Sequence, residues 1–267
     1  MSLVPVTRIY AGGLYVPGAM TRDLLRTWLE WTISLPEELA SSSLALRRFP
    51  DLPGVPAPLR GRHLAQVRVV HTGTASEGER LVRPLRAMRP MTDTVAEMPH
   101  ADIGGVHSDP PGPVSARSHG VMLGELDEAA VERIVDLAGP AADLPVGQVE
   151  FRRLGGALAR APEHPSAISH RTVPFGMNVS MLVPPGREAA IEERQRALFE
   201  GLRPWSAGAT LPNFLAGGAA QPHEVRAAYS DADYERLTRI KAIHDPDNLV
   251  RVNHNLPPAG QGRVDHD

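Results

Sequence analysis

Apolar and polar positions alternate most regularly over residues 177–183. Met177, Val179, Met181 and Val183 interleave there with Asn178, Ser180 and Leu182. A period of two with one apolar face predicts a strand lying on a core. Helical spacing is clearest over 187–202, where Ile191, Gln195, Leu198, Phe199 and Leu202 share one side. A helix is also predicted from Thr21, its N-cap, with Leu24, Leu25, Trp28, Leu29 and Trp31 as one broad face and a stop before Pro36. Another spans 76–88 through Leu81, Val82, Leu85 and Met88, with Pro84 either early in it or kinking it. A fourth follows the cap Asp127 and ends at Gly139, and a last one follows Ser230 or Asp231 and stops at Asp245-Pro246. Short runs predict strands at 3–10, 44–49, 64–71 and 121–123, and one through Val149 and Phe151. Gly12-Gly13 and Pro17-Gly18 punctuate the first of them. Residues 90–118 have no period and read as a long ordered loop, and 249–258 read as an extended tail. Strands and helices without a regular βαβ rhythm predict an α+β fold: an antiparallel sheet covered on one face by helices.

Composition narrows the function classes. The chain has 267 residues, 42% hydrophobic and 22% charged, within the globular range. It has no cysteine, which excludes disulfides, zinc–thiolate sites and iron–sulfur clusters. No run reaches the ~18 apolar residues of a membrane-spanning helix, and no signal-peptide pattern opens the sequence, so a cytoplasmic setting with no membrane contact is the default expectation. A net charge of −3, with arginines interspersed among acids and 4% aromatic content, argues against a nucleic-acid surface. Lys241 is the only lysine.

Local chemical motifs are sparse. No G-x-G-x-x-G, G-x-x-x-x-G-K-[ST] or G-x-S-x-G is present. His100, His107 and Asp109 in the long loop, and His244, Asp245, Asp247 and His254 near the C-terminus, match no metal spacing. A metal-dependent or hydrolytic enzyme built on these histidines has only loop composition behind it, so no metal site is assigned. In an extended tail Asn253 and Asn255 would share a face, where their amides could meet a ligand or satisfy neighbouring backbone.

The stretch Tyr229-Ser-Asp-Ala-Asp-Tyr234-Glu-Arg-Leu237-Thr-Arg-Ile240-Lys241-Ala-Ile-His-Asp245-Pro246-Asp-Asn248-Leu-Val-Arg-Val-Asn253-His-Asn255-Leu-Pro-Pro resembles the C-terminal signature of berberine-bridge-enzyme-like flavin oxidoreductases. The resemblance continues through Tyr10-Ala-Gly-Gly, the Trp28…Trp31 helix, Leu81-Val-Arg-Pro-Leu-Arg86, Met98-Pro99, Arg152-Arg-Leu-Gly-Gly-Ala157 and His170-Arg171, and so covers nearly the whole chain. It implies an FAD-dependent enzyme that oxidises an alcohol, sugar or natural product by hydride transfer to flavin N5. One domain cradles FAD, a second roofs the flavin and binds a small-molecule substrate, and a C-terminal segment returns to the FAD domain.

Mapped onto this sequence, the resemblance implies a remnant FAD-domain strand at 1–11, a substrate domain at 12–226, the returning segment at 227–258 and a disordered tail at 259–267. The N-terminal FAD domain has no counterpart here, so the chain is expected to need an FAD-binding half, made separately or omitted from this sequence, and to be inactive alone. The alternative is a non-catalytic fragment or binding module that kept the fold. At the expected Tyr-x-Asn base the sequence reads Leu211-Pro212-Asn213, and leucine cannot accept a proton. The candidates to replace it are His170, Arg152 or a residue outside this chain. Asn213, Asn253 and Asn255 are the amides expected near the isoalloxazine of FAD.

Overall fold

The computed structural model describes residues 5–36, 40–107, 112–215 and 221–260. Eight strands form one antiparallel sheet: β1 (Arg8–Pro17), β2 (Ala40–Arg48), β3 (His63–His71), β4 (Thr92–Asp93), β5 (Ala96–Pro99), β6 (Ala116–Leu123), β7 (Gly147–Arg153) and β8 (Phe175–Leu182). Their order is β4-β1-β3-β2-β7-β8-β6, with β5 also pairing β1. Helices α1 (Thr21–Ile33), α2 (Ala75–Ala87), α4 (Glu128–Ala138) and α5 (Glu188–Gly201) pack on one face. The short α3 (Gly104–His107), α6 (Pro222–Ala227) and the terminal α7 (Asp231–His244) complete the fold. The expected α+β architecture, one antiparallel sheet with a helical layer, is the one observed.

Strand alternation sorts the side chains. Leu44 and Leu46, Val67 and Val69, Val149 and Phe151, and Met177, Val179 and Met181 all enter the core beneath the helices. Trp28, fully buried, donates its indole N–H to Ser42 Oγ at 2.9 Å, so the largest core side chain leaves no unpaired donor. The opposite face carries Gln66 and Arg68, Ser43 and Arg47, Gln148, Glu150 and Arg152, and Asn178. Only that second face could present chemistry.

Several local expectations change. The first strand is not confined to 3–10: it begins at Arg8 and runs straight through Gly12-Gly13, and residues 3 and 4 lie outside the described residues. The glycines mark a close approach, not a turn, because a Cβ on Gly12 would lie 2.5 Å from Thr94 O where the chain crosses from β4 to β5. Thr21 is the first residue of α1 and not its cap, its hydroxyl donating to Gly18 O at 2.7 Å. Residues 90–118 are not one loop, for β4 and β5 pair with β1, α3 follows, and β6 starts at Ala116. Pro84 sits inside α2, whose first turn is closed by a reciprocal Thr74–Glu77 capping box. Helix α6 has no apolar period long enough to announce it; Pro222 at its first position and Gln221 N–H donating to Glu224 are its start signals.

Among the described residues, the tail after α7 joins no strand. Asn248 and Asn253 take φ of 51° and 58°, so the course is bent and Asn253 and Asn255 do not share a strand face. Its first turn is built around Asp245, whose carboxylate accepts from Leu249 N–H at 2.8 Å and Val250 N–H at 3.0 Å. Lys241 closes it by pairing with Asp245 and donating to Val250 O. That ammonium holds the Asp245 carboxyl below the usual carboxylate range. Residues 261–267 of the expected disordered tail lie outside the described residues.

Candidate functional site

Three strands place a charged cluster on the open sheet face. Arg68 of β3 and Arg152 of β7 both register with Ser43 of β2, while Gln66 and Glu150 register with Ala45. Because Ser43 and Ala45 are small, the longer side chains meet across β2. Arg68 Nη1 donates to Glu150 Oε1 at 2.7 Å, and Arg152 donates to Glu150 Oε2 from Nε at 3.0 Å and Nη2 at 2.8 Å. Arg68 is 3% exposed and Glu150 0%. Burial drives the Glu150 carboxyl up, but the Arg152 hydrogen bond and the charges of Arg152 and Arg68 outweigh it, so it titrates below the usual range. With both oxygens engaged, Glu150 is a structural anion and not a proton acceptor.

Residues 207–214 fold back over this face. Ala207 and Ala209 bond the backbone of Met122, and Thr210 Oγ1 donates to Gly120 O at 2.7 Å. Phe214 then rests on Gly120, where a Cβ would lie 2.7 Å from Phe214 Cβ, so only glycine admits the ring at this distance. The Arg152 guanidinium stacks on that ring, 4.9 Å from its centroid. A cavity of about 600 Å³ opens between this segment, the sheet and residues 154–171, a size suited to one small molecule. Val70, Met122, Leu154, Ile168 and Phe214 give it apolar walls.

The expected site residues divide. Arg152, His170, Leu211 and Asn213 converge on this cavity although they lie far apart in sequence. Asn253 and Asn255 are not on its lining: Asn253 is exposed and Asn255 half-buried. His170 has φ 58°, and its Nε2 lies 3.0 Å from Ala227 O, which assigns the proton to Nε2 and leaves Nδ1 as the ring's acceptor. Arg152, tied to Glu150 and always protonated, is an orienting cation and not a base. His107 also lines the cavity, while His100 does not and Asp109 lies outside the described residues. Among the described residues no three histidine or acidic side chains gather as a metal site.

Sequence reading missed Arg68, Glu150, Ser43 and Phe214. The available signal was the alternation of Gln148, Glu150 and Arg152 with Val149 and Phe151, which puts all three polar groups on one face.

The C-terminal segment is fastened to the cavity wall. Ser169 Oγ donates to Asp233 Oδ2 and accepts from Ser230 N–H, each at 2.8 Å, so the wall loop is bound into the N-cap of α7. Beyond that cap the apolar side chains Ile243, Leu249 and Val252 are 74%, 80% and 76% exposed, with Ile240 and Val250 beside them. No helix among the described residues is long and apolar enough to cross a membrane.

Residues 216–257, which include this segment, match the family model for berberine and berberine-like proteins. No curated protein sequence matches the chain. Solved structures do. A variant of berberine bridge enzyme described as a reticuline dehydrogenase superposes with a TM-score of 0.74 at 14% identity, covering 97% of this chain and 57% of that one. The wild-type BBE-like 1 protein of Physcomitrella patens gives 0.70 at 11% identity, covering 95% and 54%. The grass pollen allergen Phl p 4, described as having glucose dehydrogenase activity, gives 0.71 at 16% identity, covering 97% and 56%. At such identities the likeness establishes the fold. The chain spans little more than half the length of these structures.

Proposed function

We infer that this berberine-bridge-enzyme-like chain is the substrate-binding portion of an FAD-dependent oxidoreductase acting on an alcohol, sugar or natural product. The observation that carries the reading is the convergence of His170, Arg152 and Asn213 on one cavity that is hydrogen-bonded, through Ser169, to the segment matched by the family model.

The residues present do not fit a whole FAD. Arg152 and Asn213 offer donors suited to one polar edge of an isoalloxazine, but the sequence has no glycine-rich phosphate motif to receive the pyrophosphate. The cradle therefore belongs to an FAD-binding portion outside these residues, and bound flavin would supply the hydride acceptor. This chain's share is to bind and orient: apolar walls exclude water, Arg152 and Asn213 fix a polar group, and His170 Nδ1 is the candidate proton acceptor. In this reading 12–226 form the substrate domain, 227–258 return to the FAD-binding portion, and the exposed strip on α7 and the tail is the face that portion covers.

A second reading, a binding module without redox chemistry, is favoured by Leu211, which lines the cavity where the family resemblance places a tyrosine and offers no proton acceptor. One experiment separates them. The chain is combined anaerobically with FAD and the family's FAD-binding portion, and loss of flavin absorbance on adding candidate alcohols is followed. Loss that requires this chain, faster with Leu211→Tyr, supports the oxidoreductase. Ligand binding with no loss of absorbance supports the binding module.

A further inference from the structure

We propose that the ligand of this cavity is a carboxylate, an apolar or aromatic acid whose anionic group is held by the Arg152 guanidinium among the cavity's arginines. The proposal rests on the cavity being the substrate site and adds the substrate class.

The argument is one of charge. Four arginines line the cavity, Arg68, Arg152, Arg153 and Arg171, with His107 and His170 beside them. No described lining residue is acidic. Glu150 lies beneath the surface, fully buried and shared by Arg68 and Arg152, so two guanidiniums meet one carboxylate there. Glu125 stands 3.8 Å from Arg153 and is 80% exposed, so it is a screened counter-charge at the rim. Asp233 is engaged by the hydroxyls of Ser169 and Ser230. Counting all three acids, four guanidiniums against three carboxylates leave a positive surplus, set against walls that are mostly apolar.

Donor capacity points the same way. Arg152 spends Nε and Nη2 on Glu150 and keeps Nη1 for another partner, while its flat face is fixed by Phe214. Buried Arg68 has an Nε with no hydrogen-bond partner among the described residues. A neutral sugar or alkaloid would leave this surplus unanswered in a low-dielectric cavity, and a cationic amine would meet it with repulsion. A carboxylate answers it with charge-assisted hydrogen bonds, and the apolar walls take its hydrocarbon part.

The test is calorimetric titration of the chain with cinnamate and with its neutral isostere cinnamamide, in low and in physiological salt. The expected result is cinnamate binding about tenfold tighter, about 1.4 kcal/mol, with the preference shrinking as salt rises. Arg171→Gln, at a half-buried position whose bonds are to Leu158 O and Ser166, should cut the preference by half or more; Arg152→Gln should cut it likewise. Equal affinities, tighter amide binding, no binding of either probe, or a preference unchanged in both variants would overturn the proposal. No flavin is present in this measurement, so the two readings fail separately. A chain that selects cinnamate but never supports flavin reduction keeps the carboxylate site and loses the oxidoreductase; the reverse outcome does the opposite.

Discussion

Replacing Glu150 with glutamine tests the charged cluster directly. Arg68 and Glu150 are 3% and 0% exposed and pair at 2.7 Å, so the variant strands a buried guanidinium opposite a neutral amide. Breaking a buried pair from one side costs about 3–5 kcal/mol. Arg152 adds less, because its side chain is 36% exposed and water screens its lost partner. A loss of ~3 kcal/mol at neutral pH is therefore expected. The pH dependence follows from the same geometry. The folded-state carboxyl titrates below its unfolded value, so its contribution is complete above the unfolded pKa of about 4.3 and is lost as pH falls through the folded value. The gap between wild type and Glu150→Gln should thus narrow on acidification. Urea titrations followed by tryptophan fluorescence, at pH 7 and at about pH 3, measure both quantities. A cost below ~1 kcal/mol at neutral pH, or a gap that widens in acid, would refute the reasoning. The double variant Arg68→Met with Glu150→Leu supplies the control: removing both charges should restore most of the loss.

Two further outcomes test the architecture around the cluster. Gly120→Ala places a Cβ 2.7 Å from Phe214 Cβ and 3.0 Å from Met177 O, so it should destabilise by about 1–3 kcal/mol and unseat the ring beneath Arg152; a melting temperature equal to wild type would contradict this. Lys241→Met removes the ammonium that closes the tail turn, and hydrogen exchange at Leu249 and Val250 should accelerate roughly twofold, the scale of an i,i+4 ion pair; unchanged exchange would mean Asp245 holds the turn unaided.

Much of the fold was legible because periodicity records burial. The alternation across 177–183 and the spacing of Ile191, Gln195 and Leu198 identify β8 and α5 to within a residue or two, since each element buries a single face. Reading failed where a neighbouring segment, not the local pattern, decided the conformation. Gly12-Gly13 looks like a turn until β4 and β5 are known to cross there, and 90–118 looks structureless because β4 and β5 are too short to show a period. The site was legible in part. The family resemblance selected Arg152, His170, Leu211 and Asn213; strand β7 positions Arg152, and the loop segments carrying the other three fold onto the same cavity. Asn253 and Asn255, which the resemblance placed near the isoalloxazine, lie off the lining of this cavity, and the φ of 58° at Asn253 removes only the expectation that they share a strand face. Arg68 and Glu150 were overlooked because charged residues within strands read as solvent-facing until a third strand with small side chains lets them pair across it.

The lysine that closes the tail turn has one more consequence. It is the sole side-chain amine in the sequence, its side chain is only 17% exposed, and its nitrogen is already committed to Asp245 and Val250 O. An acylating reagent therefore finds a single lysine to modify, and it must wait for the turn to open before it can attack. The modification rate, followed by mass spectrometry, becomes a clock for that opening. Acylation would also erase the charge that recloses the turn, so each event leaves a permanent record in the molecule that opened.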